Sequence, residues 1–337
     1  MLPTSAYFDL TTDLRICRLL NGMWQVSGAH GAIEPRSALL SMHDYHHDGY
    51  KTWDLADHYG PAEDFIGLFR QARTADGEVA PTDFQAFTKW VPRPTPMTRQ
   101  IVEQAINVSR RRMATETLDL LQFHWWDYND RAYLDALEHM AALRDQGWIR
   151  HLALTNFDTE RLQIITENGI RIVSNQVQFS IIDRRPEVRM IDYCQANTIA
   201  LLPYGTVCGG LLSEKFLGVA EPGYSVLNTA SLRKYKNMID AWGGWSLFQT
   251  LLTRLKTIAD KHTVSIANVA TRYILDKPAV AGVIVGARLG VAEHRTDNAR
   301  VFDLVLDAED RAQIEAISAQ ANNLYTIIGD CGDEYRR

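Results

Sequence analysis

Four side chains of complementary chemistry, Asp54, Tyr59, Lys89 and His124, could share one proton transfer. A tyrosine hydroxyl, with an ordinary pKa of about 10, is a weak acid at neutral pH. A neighbouring ammonium favours the tyrosinate and lowers that value, a task suited to Lys89 held charged by Asp54. His124 could donate a hydrogen bond to a carbonyl oxygen and align it for attack, as an oxyanion hole does. The set holds no strong nucleophile. It therefore suits proton transfer coupled to delivery of something else, and a hydride from a nicotinamide fits, because the cofactor carries the hard chemistry. Taken singly, each residue has a plainer reading: Asp54–Lys89 as a structural ion pair, Tyr59 and His124 as core residues with satisfied hydrogen bonds.

The elements that must position these residues alternate along the chain. Short apolar or β-branched runs at 16–21, 51–54, 84–89, 118–124, 149–154, 172–177, 200–204 and 283–285 read as strands. Helical periods fall between them, near 34–47, 62–73, 98–113, 130–146, 158–168, 186–196 and 247–275, the last as two helices. Thr98, Asp158 and Pro61 are start signals, and Gly147 and Gly169 sit at C-terminal cap positions. Eight such alternations predict an α/β chain folded as one (β/α)8 barrel over 1–337. A hairpin over 4–16, turning at Thr12-Asp13, precedes it, and helices near 290–301 and 308–320 follow it. Residues 213–246 read as a long loop inserted after the seventh strand, a substrate loop, and 322–337 as a tail. Barrels of this kind keep their reactive residues at the C-terminal strand ends, where all four candidates fall.

The segments Gly22-Met-Trp24-Gln, Asp54-x-Ala-Asp-x-Tyr59-Gly-x-Ala-Glu63, Phe87-Thr-Lys89 and Gln122-x-His124 resemble, in order and rough spacing, the aldo-keto reductase superfamily. The likeness runs from the opening hairpin to the final helices. It implies a catalytic tetrad of Asp54, Tyr59, Lys89 and His124. It also implies that Thr155, Asn156 and Gln176 bind the nicotinamide carboxamide and that Tyr204 stacks on the ring, with Gly22, Trp24, Asp54, Gly205 and Val207 beside them. Gly286, Ala287, Arg288, His294, Asp297 and Asn298 match the part that grips the adenosine phosphate and adenine. That stretch is slightly longer than the family pattern, and His294 stands where Arg or Gln is usual. Arg288, His294 and Arg295 could surround a 2′-phosphate, and no acidic residue stands in 285–289 to select a free ribose hydroxyl. NADPH is the expected cofactor, with NADH as the alternative.

Net charge of −6 argues against a nucleic-acid partner, and the longest apolar run is well short of a membrane span. Four scattered cysteines and no leader-like N-terminus suggest a cytoplasmic chain, expected to be a monomer acting on a small carbonyl compound. Of eight tryptophans, Trp24, Trp90 and Trp125 are the candidate substrate walls, with Trp126 expected to point away by strand alternation. Trp242 and Trp245 of the long loop, with Tyr325 and Tyr335 of the tail, suggest an aromatic-lined pocket. His43, His46 and His47 have helical spacing, but a solvated face is favoured and no metal is expected. Cys208-Gly209-Gly210 offers amides near a cofactor pyrophosphate, a weak signal by itself. Gly49, Gly60 and Gly67 read as turn or packing glycines. Two other functions remain open: an NAD-dependent aldose- or pyridoxal-type dehydrogenase, and a cofactor-sensing binding subunit like those of some ion channels.

Overall fold

The computed structural model describes residues 1–28, 33–75 and 83–336. An antiparallel hairpin, β1 (Tyr7–Thr11) and β2 (Leu14–Cys17), leads into eight parallel strands. These are β3 (Leu19–Gly22), β4 (Thr52–Asp54), β5 (Gln85–Trp90), β6 (Leu118–Phe123), β7 (Ile149–Thr155), β8 (Ser174–Gln176), β9 (Ala200–Leu201) and β10 (Val283–Gly286). They pair in the order β10-β3-β4-β5-β6-β7-β8-β9. The ring closes through a parallel bridge from Leu201 to Val280 and a 2.8 Å bond from Ile284 N–H to the Pro203 carbonyl. This is the (β/α)8 barrel expected from the alternation.

Around it run α1 (Pro35–Asp48), α2 (Ala62–Ala75), α3 (Arg99–Arg112), α4 (Ala132–Asp145), α5 (Thr159–Glu167) and α6 (Met190–Ala196). Then come α7 (Ala230–Trp242), α8 (Gly244–His262), α9 (Ile266–Leu275), α10 (Arg295–Ala299), α11 (Ala308–Ser318) and α12 (Leu324–Ile328). Thr98 and Asp158 cap α3 and α5, their side chains accepting from Ile101 N–H and Arg161 N–H at 3.4 and 2.7 Å. Each satisfies an amide that the first turn leaves orphaned. No described helix is long and apolar enough to cross a membrane.

The two ends of the barrel differ in kind. Leu14 and Ile16 of the hairpin join Leu20, Phe87, Leu120, Ala153, Val173, Leu202 and Ala281 in an apolar plug. Two residues beyond Phe87, Leu120 and Ala153 stand Lys89, Gln122 and Thr155, beside Asp54 and Gln176 at the ends of β4 and β8. Alternation at period two carries β5, β6 and β7 from plug to polar mouth.

Three expectations need revision. The run 16–21 is two strands, broken at Arg18, whose guanidinium turns out to the carbonyls of Leu275, Val280 and Ala281 at 2.7, 3.2 and 3.0 Å. The stretch 213–246 is not one long loop: α7 occupies 230–242, capped by Thr229. Trp242 and Trp245 accordingly lie in the core, Trp245 with its indole N–H on the Val219 carbonyl at 2.9 Å, and do not line a mouth. His46 is not on a solvated face: it is buried against Phe69 and Phe84 and shares a 3.1 Å hydrogen bond with Asp83.

Gly67 marks where α2 touches the end of α3, because a Cβ there would lie 2.1 Å from the Arg112 carbonyl oxygen. A rigid backbone atom cannot yield as a side chain can. Gly67→Ala should therefore destabilise the chain by about 1–3 kcal/mol, read as a lower urea midpoint with an unchanged slope.

Candidate active site

Asp54, the last residue of β4, is the hub of the mouth. Lys89 Nζ donates to its Oδ2 at 2.7 Å, while Gln122 and Gln176 donate to its Oδ1 at 2.9 and 2.7 Å. Gln176 also donates to Gln122 Oε1 at 2.6 Å, and Lys89 to the Leu55 carbonyl at 2.9 Å. Every partner comes from a strand end or the residue after one. Asp54 and Lys89 are each 3% exposed, so this is a buried charge pair whose remaining polar capacity is met by amides.

Tyr59 lies over this pair, its ring 5.1 Å from Lys89 Nζ and edge-on to Trp24 at 5.0 Å. The expectation that Lys89 lowers the Tyr59 pKa does not hold. Burial comes first, and the charge of Asp54 next, in pushing the phenol well above its ordinary range. The ammonium is itself pulled down by burial, against the attraction of Asp54. Asp54 and Leu55 take two of the three Lys89 donors, and burial leaves Tyr59 a phenol that keeps its proton.

His124 follows β6, and its Nδ1 faces the Thr155 carbonyl at 3.1 Å. A carbonyl only accepts, so Nδ1 carries hydrogen. Burial first, then the Arg336 charge, lowers the His124 pKa to about 4. The ring is thus neutral at pH 7, and its buried Nε2, which has no partner among the described residues, is a bare acceptor. This corrects the expected role of hydrogen-bond donor to a carbonyl.

The tryptophans sort by parity along the strands. Trp90 follows Lys89 on β5 and so faces away from the mouth, tilted against Phe123 at 5.5 Å. Trp125 shares Phe123's face, fully buried at 5.9 Å from it, with its indole N–H on the Asp127 and Asp130 carbonyls. Neither lines the site. Trp126 has the parity of Gln122 and His124, and packs edge-on to His124 at 4.4 Å with its own ring 39% exposed. Trp126 thus borders His124, as Trp24 borders Tyr59.

Beyond β7, Asn156 adopts a left-handed conformation (φ 58°), its N–H on the Gln176 carbonyl at 2.8 Å. Its Oδ1 accepts from the Tyr204 hydroxyl at 2.9 Å, and that hydroxyl also meets Tyr335's at 2.9 Å. Thr155 is buried, its hydroxyl on the Gln176 carbonyl at 3.3 Å. Gly205 (φ 75°) leaves room for Tyr235, whose hydroxyl would lie 2.3 Å from a Cβ there. The adjoining turn amides of Thr206 and Val207 take no acceptor among the described residues. Gly22 and Gly286 pair across β3 and β10, with Gln25 packed against Gly286 and its Oε1 buried without a partner among the described residues. Ala287 is buried there, its N–H on the Gly22 carbonyl at 2.9 Å.

The adenosine side departs further. Arg295 turns to Asp48, Glu293 and Asp44 at 2.9, 3.2 and 3.7 Å, so its charge is compensated and it is unavailable for a phosphate. Asp297 accepts from Ser265 and Asn268 at 2.8 and 3.2 Å, serving the start of α9 rather than an adenine. Asn298 is half-buried within α10. Arg288 and His294 remain exposed, Arg288 with no ion pair among the described residues. Among the described residues no cluster of His, Cys, Asp and Glu could hold a metal. Tyr335, expected at an aromatic-lined pocket, does stand by His124 and Tyr204, whereas two contributions were not anticipated: Gln122 as a brace of Asp54, and Arg336.

Residues 18–319 match the model of the Aldo/keto reductase family. The chain belongs to that family, a class of NAD(P)H-dependent oxidoreductases. Among its relatives is flagellar radial spoke protein 5 of Chlamydomonas reinhardtii, 34% identical over 180 residues, 48% of this chain and 34% of that one. The chain thus spans about a third of that relative's length. It is 26% identical to the uncharacterized oxidoreductase YqkF of Bacillus subtilis (strain 168), covering 82% of this chain and 85% of that one. The fold matches that of the glycerol dehydrogenase AKR11B4 from Gluconobacter oxydans (TM-score 0.76, 21% identity, 94% and 96% covered). It also matches an aldo/keto reductase from Klebsiella pneumoniae in complex with NADP and acetate (TM-score 0.69, 19% identity, 93% and 95% covered).

His124 has a pH signature. Its folded pKa of about 4 lies below the ordinary 6.5, so folding is favoured above pH 6.5 and that contribution drains away as pH falls towards 4. The span corresponds to about 3 kcal/mol. Urea unfolding between pH 7 and 4 should show wild type losing more stability than His124→Asn, by roughly that amount.

Proposed function

We propose that this chain is an NADPH-dependent carbonyl reductase, and that Asp54, Tyr59, Lys89 and His124 do its chemistry. The observation that carries the reading is the buried Asp54–Lys89 pair, braced by Gln122 and Gln176, beneath a protonated Tyr59 and beside a neutral His124.

The mouth has groups suited to a nicotinamide cofactor. Thr155, Asn156 and Gln176 offer amide and hydroxyl groups to the carboxamide, and Tyr204 an aromatic face. Thr206 and Val207 offer two unspent turn amides to the pyrophosphate. Gly22, Trp24, Gly205, Gly286 and Ala287 lie at or just beyond the ends of β3, β9 and β10, and Arg288, exposed and without an ion pair among the described residues, offers a cation to a 2′-phosphate, with His294 exposed as well. The bound cofactor supplies a hydride to the carbonyl carbon. The NADP in the Klebsiella pneumoniae aldo/keto reductase structure favours the phosphorylated form.

The chain's own task is then the proton. An alkoxide is a far stronger base than a phenolate, so Tyr59 can protonate it without a lowered pKa. Lys89, held by Asp54 with its Nζ 5.1 Å from the Tyr59 ring, keeps a cation beside the phenolate left behind, against the burial and the Asp54 charge that raise that group's pKa. His124 Nε2 accepts a hydrogen bond from the new hydroxyl and orients it. The same acceptor favours the reverse reading, oxidation of an alcohol, because a substrate hydroxyl can donate to it directly.

Tyr59→Phe should cut kcat at least about 100-fold for every aldehyde and ketone tested, with NADPH affinity by fluorescence titration within about twofold of wild type. Near-normal turnover in that variant overturns the assignment. In parallel assays NADPH should be preferred over NADH, and Arg288→Ala should erase most of that preference through the cofactor's KM. A wild-type preference for NADH would favour the NAD-dependent dehydrogenase. Tight cofactor binding without turnover of any carbonyl would favour the binding subunit.

A further inference from the structure

The last residues of the chain lie in the mouth. Gly332, at φ 89°, runs so close to β7's exit that a Cβ on it would sit 2.0 Å from the Asn156 carbonyl oxygen. Arg336 donates to that same carbonyl at 2.7 Å and to the Trp125 carbonyl at 2.6 Å, with its guanidinium 3.9 Å from the Tyr128 ring centroid. Those two carbonyls belong to the loops that leave β6 and β7. Tyr335 stands edge-on to His124 at 6.1 Å, accepts from Lys234, and meets the Tyr204 hydroxyl.

The segment is anchored rather than draped. Asp330 accepts from Thr159 N–H at 3.0 Å, and its own carbonyl accepts from buried Arg185 at 3.0 Å. Arg185, paired with Asp183 at 2.8 Å, also reaches Glu334 at 2.8 Å. Cys331 is fully buried. A gate would need a weakly held segment, and this one is tied at both ends by buried polar contacts.

We propose that Arg336 is a positioning residue, locking the two loops that carry His124 and Asn156 in register. The proposal rests on the roles given above to His124 and Asn156. Arg336 has a planar fork and two carbonyls at the right spacing, so one side chain fixes both loops at once. With the Asn156 carbonyl pinned, that residue holds its left-handed turn, which Asn tolerates, and its side chain reaches Tyr204.

The same placement acts on His124 electrostatically. Arg336 and, more weakly, His58 oppose a charged ring, Glu334 favours one, and the Thr155 carbonyl holds Nδ1–H. Arg336 therefore helps keep Nε2 bare, and it does so from a fixed seat.

The test is an NMR titration of His124, assigned by loss of its resonance in His124→Asn, in the cofactor-free full chain. Arg336→Ala should move the midpoint up from about 4 towards 6.5, weaken NADPH binding about tenfold, and lower kcat more than it raises KM. Arg336→Lys keeps the charge without the two-carbonyl fork, so it should restore the midpoint while recovering only part of kcat. A folded Arg336→Ala variant with an unchanged midpoint and unchanged NADPH affinity overturns the proposal. Should that variant fail to fold, Arg336→Gln, which removes the charge and keeps a donor, is read by the same two criteria. The titration needs no turnover. A chain inactive on every carbonyl would sink the catalytic reading and leave the midpoint to decide this one.

Discussion

A lysine and an aspartate are taken out of water together at the top of the barrel, and much of the architecture serves that burial. Two charges removed from solvent cost several kcal/mol each unless their remaining polar atoms are met. Here Asp54 Oδ2 has Lys89, Oδ1 has Gln122 and Gln176, and Lys89 has the Leu55 carbonyl as well. These residues come from β4, β5, β6 and β8, so the pair is stable only in a closed parallel ring with those strands in register. Removing one partner leaves an uncompensated charge, and that couples the integrity of the site to that of the fold.

From that pair outward, the site is built in layers of decreasing burial. Tyr59 and His124 sit on it with opposite assignments, one phenol that keeps its proton and one imidazole that refuses one. Low dielectric enforces both, because burial disfavours the phenolate and the imidazolium alike. A donor and an acceptor thus face the same space because burial moves the two acidities in opposite directions, the phenol up and the imidazolium down. The outermost layer comes from the end of the chain, where Tyr335 and Arg336 reach groups that the strand ends leave open.

The barrel was legible because alternating periods of two and near 3.6 survive along most of the chain. The four candidates were legible as strand-end residues because ordered agreement at four strand ends is far more specific than any single motif. What could not be read was direction and pairing. Trp125 and Trp126 look equivalent in sequence, and parity counted from Gln122 separates them only once the strand end is fixed. The 213–246 stretch, with Pro222-Gly223 early and Gly243-Gly244 late, hid the amphipathic α7 between its turn signals. Arg295 carried the right charge for a phosphate, but three acids from α1 and its own loop claim it. The polar run at 329–336 gave no periodicity at all, since its order comes from tertiary partners such as Arg185 and Asn156.

The central claim is that this mouth delivers a hydride to a carbonyl carbon while the chain supplies the proton. The most direct measurement uses NADPH deuterated on one face of C4, turned over with an accepted aldehyde in ordinary water. Mass spectrometry of the alcohol should find one deuterium on carbon with one of the two labelled cofactors and none with the other. Deuterium in neither alcohol, with NADPH consumed all the same, would contradict the account.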